Sequence, residues 1–287
     1  MLLREIKSVF HQELQAHYPK TEIDSFFHSF VEEFLGLPRF ALVMHPEFSL
    51  NDKEKEPFFQ GLWRLKKQEP LQYILGKTDF MGLEFKVTPD VLIPRPETEE
   101  LVNWIVNECH SNCCNVKVLD IGTGSGCIAI ALAKELREAT VHALDISTAA
   151  LAVASENAIN NGLKVDFLQA DILDEDKVLE RFGDASFDVI VSNPPYVREL
   201  EKEEMMANVL DFEPAEALFV PDSDPLRYYR AIVHFSRKSL SKNGHLYFEI
   251  NQFLAKETEQ LLLENGFGQV ELRKDIFGNF RMLKAKF

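Results

Sequence analysis

Positive charge is in short supply. The 287-residue chain sets 31 Lys plus Arg against 46 Asp plus Glu, with 9 against 11 in residues 1–76 and 22 against 35 in the remainder. Nucleic acid is bound largely through phosphates neutralised by Lys and Arg, so this acidic second part argues against DNA or RNA as the main partner. Long apolar runs are missing too: no stretch approaches the roughly 18 uninterrupted residues of a membrane span. The start, Met1-Leu2-Leu3-Arg4-Glu5, lacks the basic flank and apolar run of a signal peptide. The expectation is a cytoplasmic protein with no membrane partner. Cysteine is scarce, with Cys109, Cys113, Cys114 and Cys127 too few and too local for a disulfide framework. Cys109-His110 with Cys113-Cys114 has no second ligand pair of matching spacing, so the cluster reads as thiols at a helix end and in a loop, with no metal.

What is present is ample apolar material, 46% of the residues, in a chain longer than the usual single domain. Residues 1–75 space their apolar positions helically: Leu2, Ile6, Val9 and Phe10, then Ile23, Phe26, Phe27, Phe30, Val31 and Phe34. Thr21 is placed to cap the second helix and Gly36-Leu37-Pro38 to end it; a third, Asp52 to Gln68, carries Phe58, Phe59, Leu62 and Leu65. So short a bundle needs large side chains to bury enough area, which makes the aromatic stripe core. The bundle carries no chemistry; its expected use is docking a substrate.

Between 70 and 100 the pattern changes to short β runs, Leu71 to Leu75, Phe80 to Val87 and Val91 to Ile93, punctuated by Gly and Pro, which predict a β-hairpin linker over 76–95. Arg95-Pro96-Glu97-Thr98-Glu99-Glu100 then opens a helix, with Thr98 as its cap and acids at its positive end. Arg95 is a candidate to hold a partner or order a site.

From 116 strands and helices alternate, which predicts an α/β domain over 96–287. The strand Val116 to Ile121 turns through Gly122-Thr123-Gly124-Ser125-Gly126 into a helix, so glycines admit a ligand close to backbone beside free N–H groups. The second strand ends in Asp145, about 20 residues on, where an acid accepts from the ribose hydroxyls of an adenosine-containing cofactor. Asp171 and Ile172 follow the third strand and are placed to flank an adenine. The spacing Gly122-x-Gly124-x-Gly126 is not the G-x-G-x-x-G that accommodates a pyrophosphate.

The fourth strand, Phe187 to Val191, is stopped by Ser192-Asn193-Pro194-Pro195-Tyr196. The two prolines donate no hydrogen bond, which leaves nearby carbonyls to accept, and Asn193 adds an amide beside an aromatic ring. That is a receptor for a flat group bearing N–H; by itself the stretch also reads as a proline-stopped strand with a buried Tyr.

An acid or Asn closing each successive strand after a glycine turn resembles the class I S-adenosylmethionine-dependent methyltransferases, and Asn193-Pro194-Pro195-Tyr196 resembles the tetrad of the branch that methylates planar nitrogens. More narrowly, Gln72-Tyr73-Ile74-x-Gly76, Leu92-Ile93-Pro94-Arg95-Pro96-Glu97-Thr98-Glu99 and Glu213-Pro214-x-x-Ala217-Leu218 resemble the protein-(glutamine-N5) methyltransferases of peptide chain release factors. Pro225 and Asn251 depart from that pattern, where the family more often has Gly. The resemblance implies a Rossmann-like sheet of seven strands, the last antiparallel, joined through the hairpin to the bundle. It implies S-adenosyl-L-methionine on Gly122, Thr123, Gly124, Ser125, Gly126, Asp145, Asp171, Ile172 and Asn193, with S-adenosyl-L-homocysteine as product. Asn193, Pro194, Pro195 and Tyr196 are the expected catalytic set. With Arg95 they would bind the glutamine of a Gly-Gly-Gln loop in a release factor. The competing reading is a nucleic-acid methyltransferase acting on adenine or guanine amino groups, which calls for a basic groove.

Overall fold

The computed structural model describes residues 1–109, 115–182 and 186–287, the side chain of Ala41 excepted. His110, Cys113 and Cys114 lie outside the described residues. Backbone contacts divide the chain into one unit of Met1–Gly76 with Met206–Phe212 and a second of Lys77–Met205 with Glu213–Phe287.

In the first unit, α1 (Leu3–Leu14), α2 (Lys20–Leu35), α3 (Ala41–Met44), α4 (Asp52–Lys66) and α5 (Leu71–Leu75) are followed, much later in the chain, by α10 (Ala207–Phe212). The helically spaced residues do form its core: Ile6, Phe10, Phe27, Phe30 and Phe58 are fully buried, and Phe10 meets Phe27 and Phe30 edge to face. Each such ring contributes about 1.5–3 kcal/mol by burial. Gly61 is needed where α4 crosses Phe30, because a Cβ there would sit 2.4 Å from the ring. Three local expectations fail. Phe59, expected in the core stripe of the third helix, is exposed. Thr21 lies inside the first turn of α2, whose cap position is Pro19. Leu71–Leu75 is helical rather than extended; Gly76 ends it at φ 74°, a left-handed position that glycine adopts without strain.

The second unit opens with an antiparallel hairpin, β1 (Lys77–Phe80) and β2 (Leu83–Lys86), then α6 (Pro96–Cys109). Val91 to Ile93 joins no strand. There follow β3 (Lys117–Ile121), α7 (Cys127–Glu135), β4 (Thr140–Asp145), α8 (Thr148–Asn160), β5 (Asp166–Gln169), α9 (Glu175–Phe182) and β6 (Phe187–Ser192). A small parallel pair, β7 (Val197–Arg198) with β8 (Phe219–Val220), brackets a 3₁₀ turn at Glu199–Glu204 and α11 (Ala215–Leu218); α12 (Arg227–Ser239), β9 (Leu240–Glu249), α13 (Ala255–Glu264), β10 (Gln269–Lys274) and β11 (Phe280–Lys286) complete it. The seven-stranded sheet has the order β10-β11-β9-β6-β3-β4-β5, and β11 runs antiparallel to both its neighbours. This is the α/β sheet with a reversed last strand that the resemblance implies.

Alternation along the buried strands serves two cores. Val118, Val189 and Val191 pack on one face with Leu101 and Ile105 of α6 and Ile130 of α7, while Leu119 and Ile190 pack on the other with Ile232 of α12 and Leu262 of α13. A sheet covered on both faces has only its strand ends available for a ligand. The chain runs outward from β3 to β4 and β5, then returns to the other side of β3 as β6, so strand order reverses between β3 and β6. Such a reversal opens a crevice at the carboxyl ends of the strands.

Candidate functional site

Ser192 Oγ donates to the carbonyl of Ile121 at 2.6 Å, fastening β6 to β3 where the crevice begins. Gly122 and Asn193 are the next residue of each strand. Around them opens a cleft of about 330 Å³, lined by the glycine turn, Leu144 and Asp145, Asp171 and Ile172, Asn193 to Pro195, residues 90–95 and Tyr228. All of these residues belong to the second unit.

The turn is built for close approach. Gly122, Gly124 and Gly126 hold φ of 73°, 55° and 83°, a region that side-chain-bearing residues rarely adopt. Its strand end is pinned by Gly122 and Thr123 N–H on the Leu144 carbonyl at 2.9 and 3.0 Å. At Gly126 a Cβ would also lie 2.9 Å from Ile130 Cδ1 and 3.1 Å from Ala154 Cβ, so this glycine serves helix packing. Beneath the turn, Thr123 Oγ1 donates to Asp120 Oδ2 at 2.6 Å. Asp120 has no solvent exposure, and burial pushes its carboxyl up to about 7.

Asp145 closes β4 as the spacing requires. Its Oδ2 accepts from Gly124 N–H at 2.8 Å and its Oδ1 from Ser147 N–H at 2.9 Å. Burial raises its pKa against the pull of those N–H groups. A carboxylate offers about four acceptor positions, so Asp145 keeps acceptor capacity for a hydroxyl of a ligand. Asp171 Oδ1 accepts from Leu173 N–H at 2.9 Å, and Ile172 beside it is buried.

The four residues after β6 divide. Asn193, Pro194 and Pro195 line the cleft; Tyr196 does not. Its hydroxyl donates to Glu249 Oε1 at 2.9 Å and accepts from Arg281 Nη1 at 3.3 Å, and its carbonyl accepts from Asn251 Nδ2 at 3.0 Å. Burial, reinforced by the Glu249 charge, pushes the Tyr196 phenol far above its ordinary value, so it stays protonated. Tyr196 thus braces the loop from behind. Asn251 uses its side chain here: it ties the Tyr196 carbonyl to Glu201 and accepts from Phe253 N–H at 2.9 Å.

Thr98, which the sequence suggests as the cap of α6, lies within the helix, with Oγ1 donating to Glu249 Oε2 at 2.7 Å and accepting from Asn193 Nδ2 at 3.4 Å. Burial raises the Glu249 pKa, opposed by Thr98, Tyr196 and Arg281. Arg95 pairs with the buried Glu213 carboxylate, whose other oxygen accepts from Ile93 N–H at 3.2 Å. Glu213 therefore joins two walls of the cleft, residues 90–95 and 214–217. Sequence reasoning gives Glu213 no role and misses Glu249; the available signal is an acid that follows the apolar run Leu246 to Phe248 at the end of β9. Among the described residues no cluster of His, Cys, Asp and Glu could hold a metal ion, and no helix is long and apolar enough to cross a membrane.

Comparison with known proteins bears on the family and the fold. Residues 8–76 match a PrmC N-terminal domain model and residues 102–223 a methyltransferase small domain model. A release factor glutamine methyltransferase of Flavobacterium psychrophilum is 48% identical, with 100% of both chains covered, and one of Bacteroides thetaiotaomicron is 44% identical over 99% of each. Among solved structures, the hMettl16 catalytic domain in complex with an RNA hairpin shares 16% identity at a TM-score of 0.55, covering 83% of this chain and 84% of that one. The T. thermophilus 16S rRNA N2 methyltransferase RsmC shares 22% at 0.52, covering 73% and 49%. At such identities both show the fold alone. The full-length relatives decide the matter: the chain belongs to the release factor glutamine methyltransferase family.

Proposed function

We propose that this enzyme transfers a methyl group from S-adenosyl-L-methionine to the side-chain amide nitrogen of the glutamine in the Gly-Gly-Gln loop of a peptide chain release factor. The observation that carries the reading is that the glycine turn, Asp145 and Asn193 open into one cleft at the reversal of strand order. The donor set suits an adenosyl cofactor: Asp145 for ribose hydroxyls, Asp171 and Ile172 for adenine, and residues Gly122 to Gly126 as backbone floor. When bound, S-adenosyl-L-methionine supplies an electrophilic methyl on a sulfonium and leaves as S-adenosyl-L-homocysteine.

An amide nitrogen is a weak nucleophile because its lone pair is delocalised into the carbonyl. The chain must aim it at the methyl carbon and accept its N–H groups as positive charge develops. Asn193 Oδ1 and the Pro194 carbonyl are the acceptors in this reading, and Pro195 is apolar wall. As the N–C bond forms the nitrogen becomes acidic and releases its proton to water, so no carboxylate base is required. Arg95, held by Glu213, orders the wall that residues 90–95 provide. Residues 1–75 supply docking for the folded substrate, 76–95 is the linker and 96–287 the catalytic domain. The protein is assigned to the cytoplasm and has no direct nucleic-acid partner; the net charge of −13 over residues 77–287 supports this against an amino-methyltransferase of nucleic acid. The test is mass spectrometry of a purified release factor after incubation with the protein and S-adenosyl-L-methionine. One added methyl on the Gly-Gly-Gln glutamine is expected; a methylated oligonucleotide and an unmodified factor would overturn the assignment.

A further inference from the structure

The polarity of the hydrogen bonds behind Asn193 can be followed from end to end. Arg281 only donates, and Nη1 donates to Tyr196 OH at 3.3 Å, so the single phenolic proton points elsewhere, to Glu249 Oε1 at 2.9 Å. In its ionised form Glu249 only accepts, so the Thr98 hydroxyl directs its proton to Glu249 Oε2 at 2.7 Å. Thr98 Oγ1 is left able only to accept, and the end of the Asn193 amide at 3.4 Å from it must be the NH₂ end. The opposite end of a planar amide is Oδ1, which this leaves for the cleft that Asn193 lines.

We infer that Thr98 and Glu249 are positioning residues that fix the orientation of the Asn193 amide, presenting Oδ1 rather than Nδ2 to the substrate N–H. The inference rests on the reading of Asn193 as that acceptor. A turned amide would face N–H with N–H, so the orientation decides whether the pocket grips or repels its substrate. Glu249 and Tyr196 do not line the cleft, and α6 brings Thr98 to Glu249 across 151 residues of sequence. Thr98 itself borders the cleft beside Asn193, and from it the bond chain runs back through Glu249 and Tyr196 into the fold.

Glu249→Gln tests this because it preserves shape and reverses polarity. Arg281 keeps Tyr196 a donor, so the oxygen of the new carboxamide accepts from Tyr196 and its NH₂ faces Thr98. The hydroxyl proton of Thr98 then turns to Asn193, which must offer Oδ1 to it and Nδ2 to the cleft. On a folded release factor kcat should fall about tenfold or more, while calorimetric affinity for S-adenosyl-L-homocysteine and the unfolding temperature stay near wild type. If Glu249→Gln does not fold, Thr98→Val decides: loss of the orienting hydroxyl should lower kcat about five- to tenfold, and Thr98→Ser should restore it. Wild-type kcat in folded Glu249→Gln, or in Thr98→Val, overturns the inference, as does a loss in Thr98→Val that Thr98→Ser fails to restore. The wild-type control separates the two levels: wild-type methylation with unaffected variants sinks this inference alone, whereas an inactive wild type sinks the reading beneath it as well.

Discussion

Replacing Asp145 by alanine isolates the cofactor side of the cleft. The carboxylate receives Gly124 N–H at 2.8 Å and Ser147 N–H at 2.9 Å, one on each oxygen, and keeps acceptor positions open to the cleft. If those positions take ribose hydroxyls, the variant loses charge-assisted hydrogen bonds worth ~1.5–3 kcal/mol, or roughly a 10- to 150-fold rise in Kd. The fold should tolerate the change. Gly124 and Ser147 are partly exposed, so water can replace the lost acceptor, and removing a carboxylate whose pKa is raised by burial relieves a desolvation cost. Calorimetric titration with S-adenosyl-L-homocysteine reads the affinity, and urea unfolding of the same preparation shows that the variant is folded. An unchanged Kd in a folded Asp145→Ala protein would remove Asp145 from the cofactor site and refute the reasoning from the end of β4.

Four further outcomes are expected. Asn193→Ala should lower kcat by ~10²-fold with little change in cofactor affinity, the mark of a partner that matters most as charge develops; near-normal turnover would make the tetrad a strand stop only. Asp120 titrates near 7 in the fold and near its ordinary 3.8 when unfolded, so its stabilising contribution is complete below about 3.8 and lost as pH rises through about 7. Asp120→Asn, which still accepts from Thr123, should therefore be more stable than wild type at pH 8 by a few kcal/mol, on the order of the pKa shift, and gain little at pH 4; parallel pH–stability curves by urea unfolding would contradict this. Glu213→Ala strands Arg95 and the Ile93 N–H and should cost ~1–3 kcal/mol in the same assay, a value discounted because the Arg95 side chain is 32% exposed. A folded release factor should be methylated with a higher kcat/KM than a short peptide carrying its Gly-Gly-Gln loop, because remote binding energy positions the nitrogen; equal efficiency would remove docking from the account.

The sequence alone determined the parts of this protein whose cause is local. An apolar run stopped by two prolines became β6 with Asn193 at its carboxyl end, glycines at positive φ made the turn after β3, and Asp145 closed β4, because strand length, φ preference and strand-to-helix spacing are properties of neighbouring residues. The Phe-rich helical spacing likewise specified the core of the first unit. What proximity in sequence does not encode was decided by tertiary structure. Thr98 looks like a helix cap, yet its hydroxyl meets Glu249, 151 residues away. Arg95 reads as holding a partner or ordering a site, and the residue it pairs with, Glu213, lies 118 residues away. Tyr196 looks like a wall of the pocket, yet Glu249 and Arg281 draw its hydroxyl behind the loop. Leu71–Leu75 reads as extended and folds as a helical turn, since five residues carry too short a period to tell strand from helix until packing chooses. A buried polar group must find a partner, and which partner it finds depends on where the sheet brings distant strand ends together.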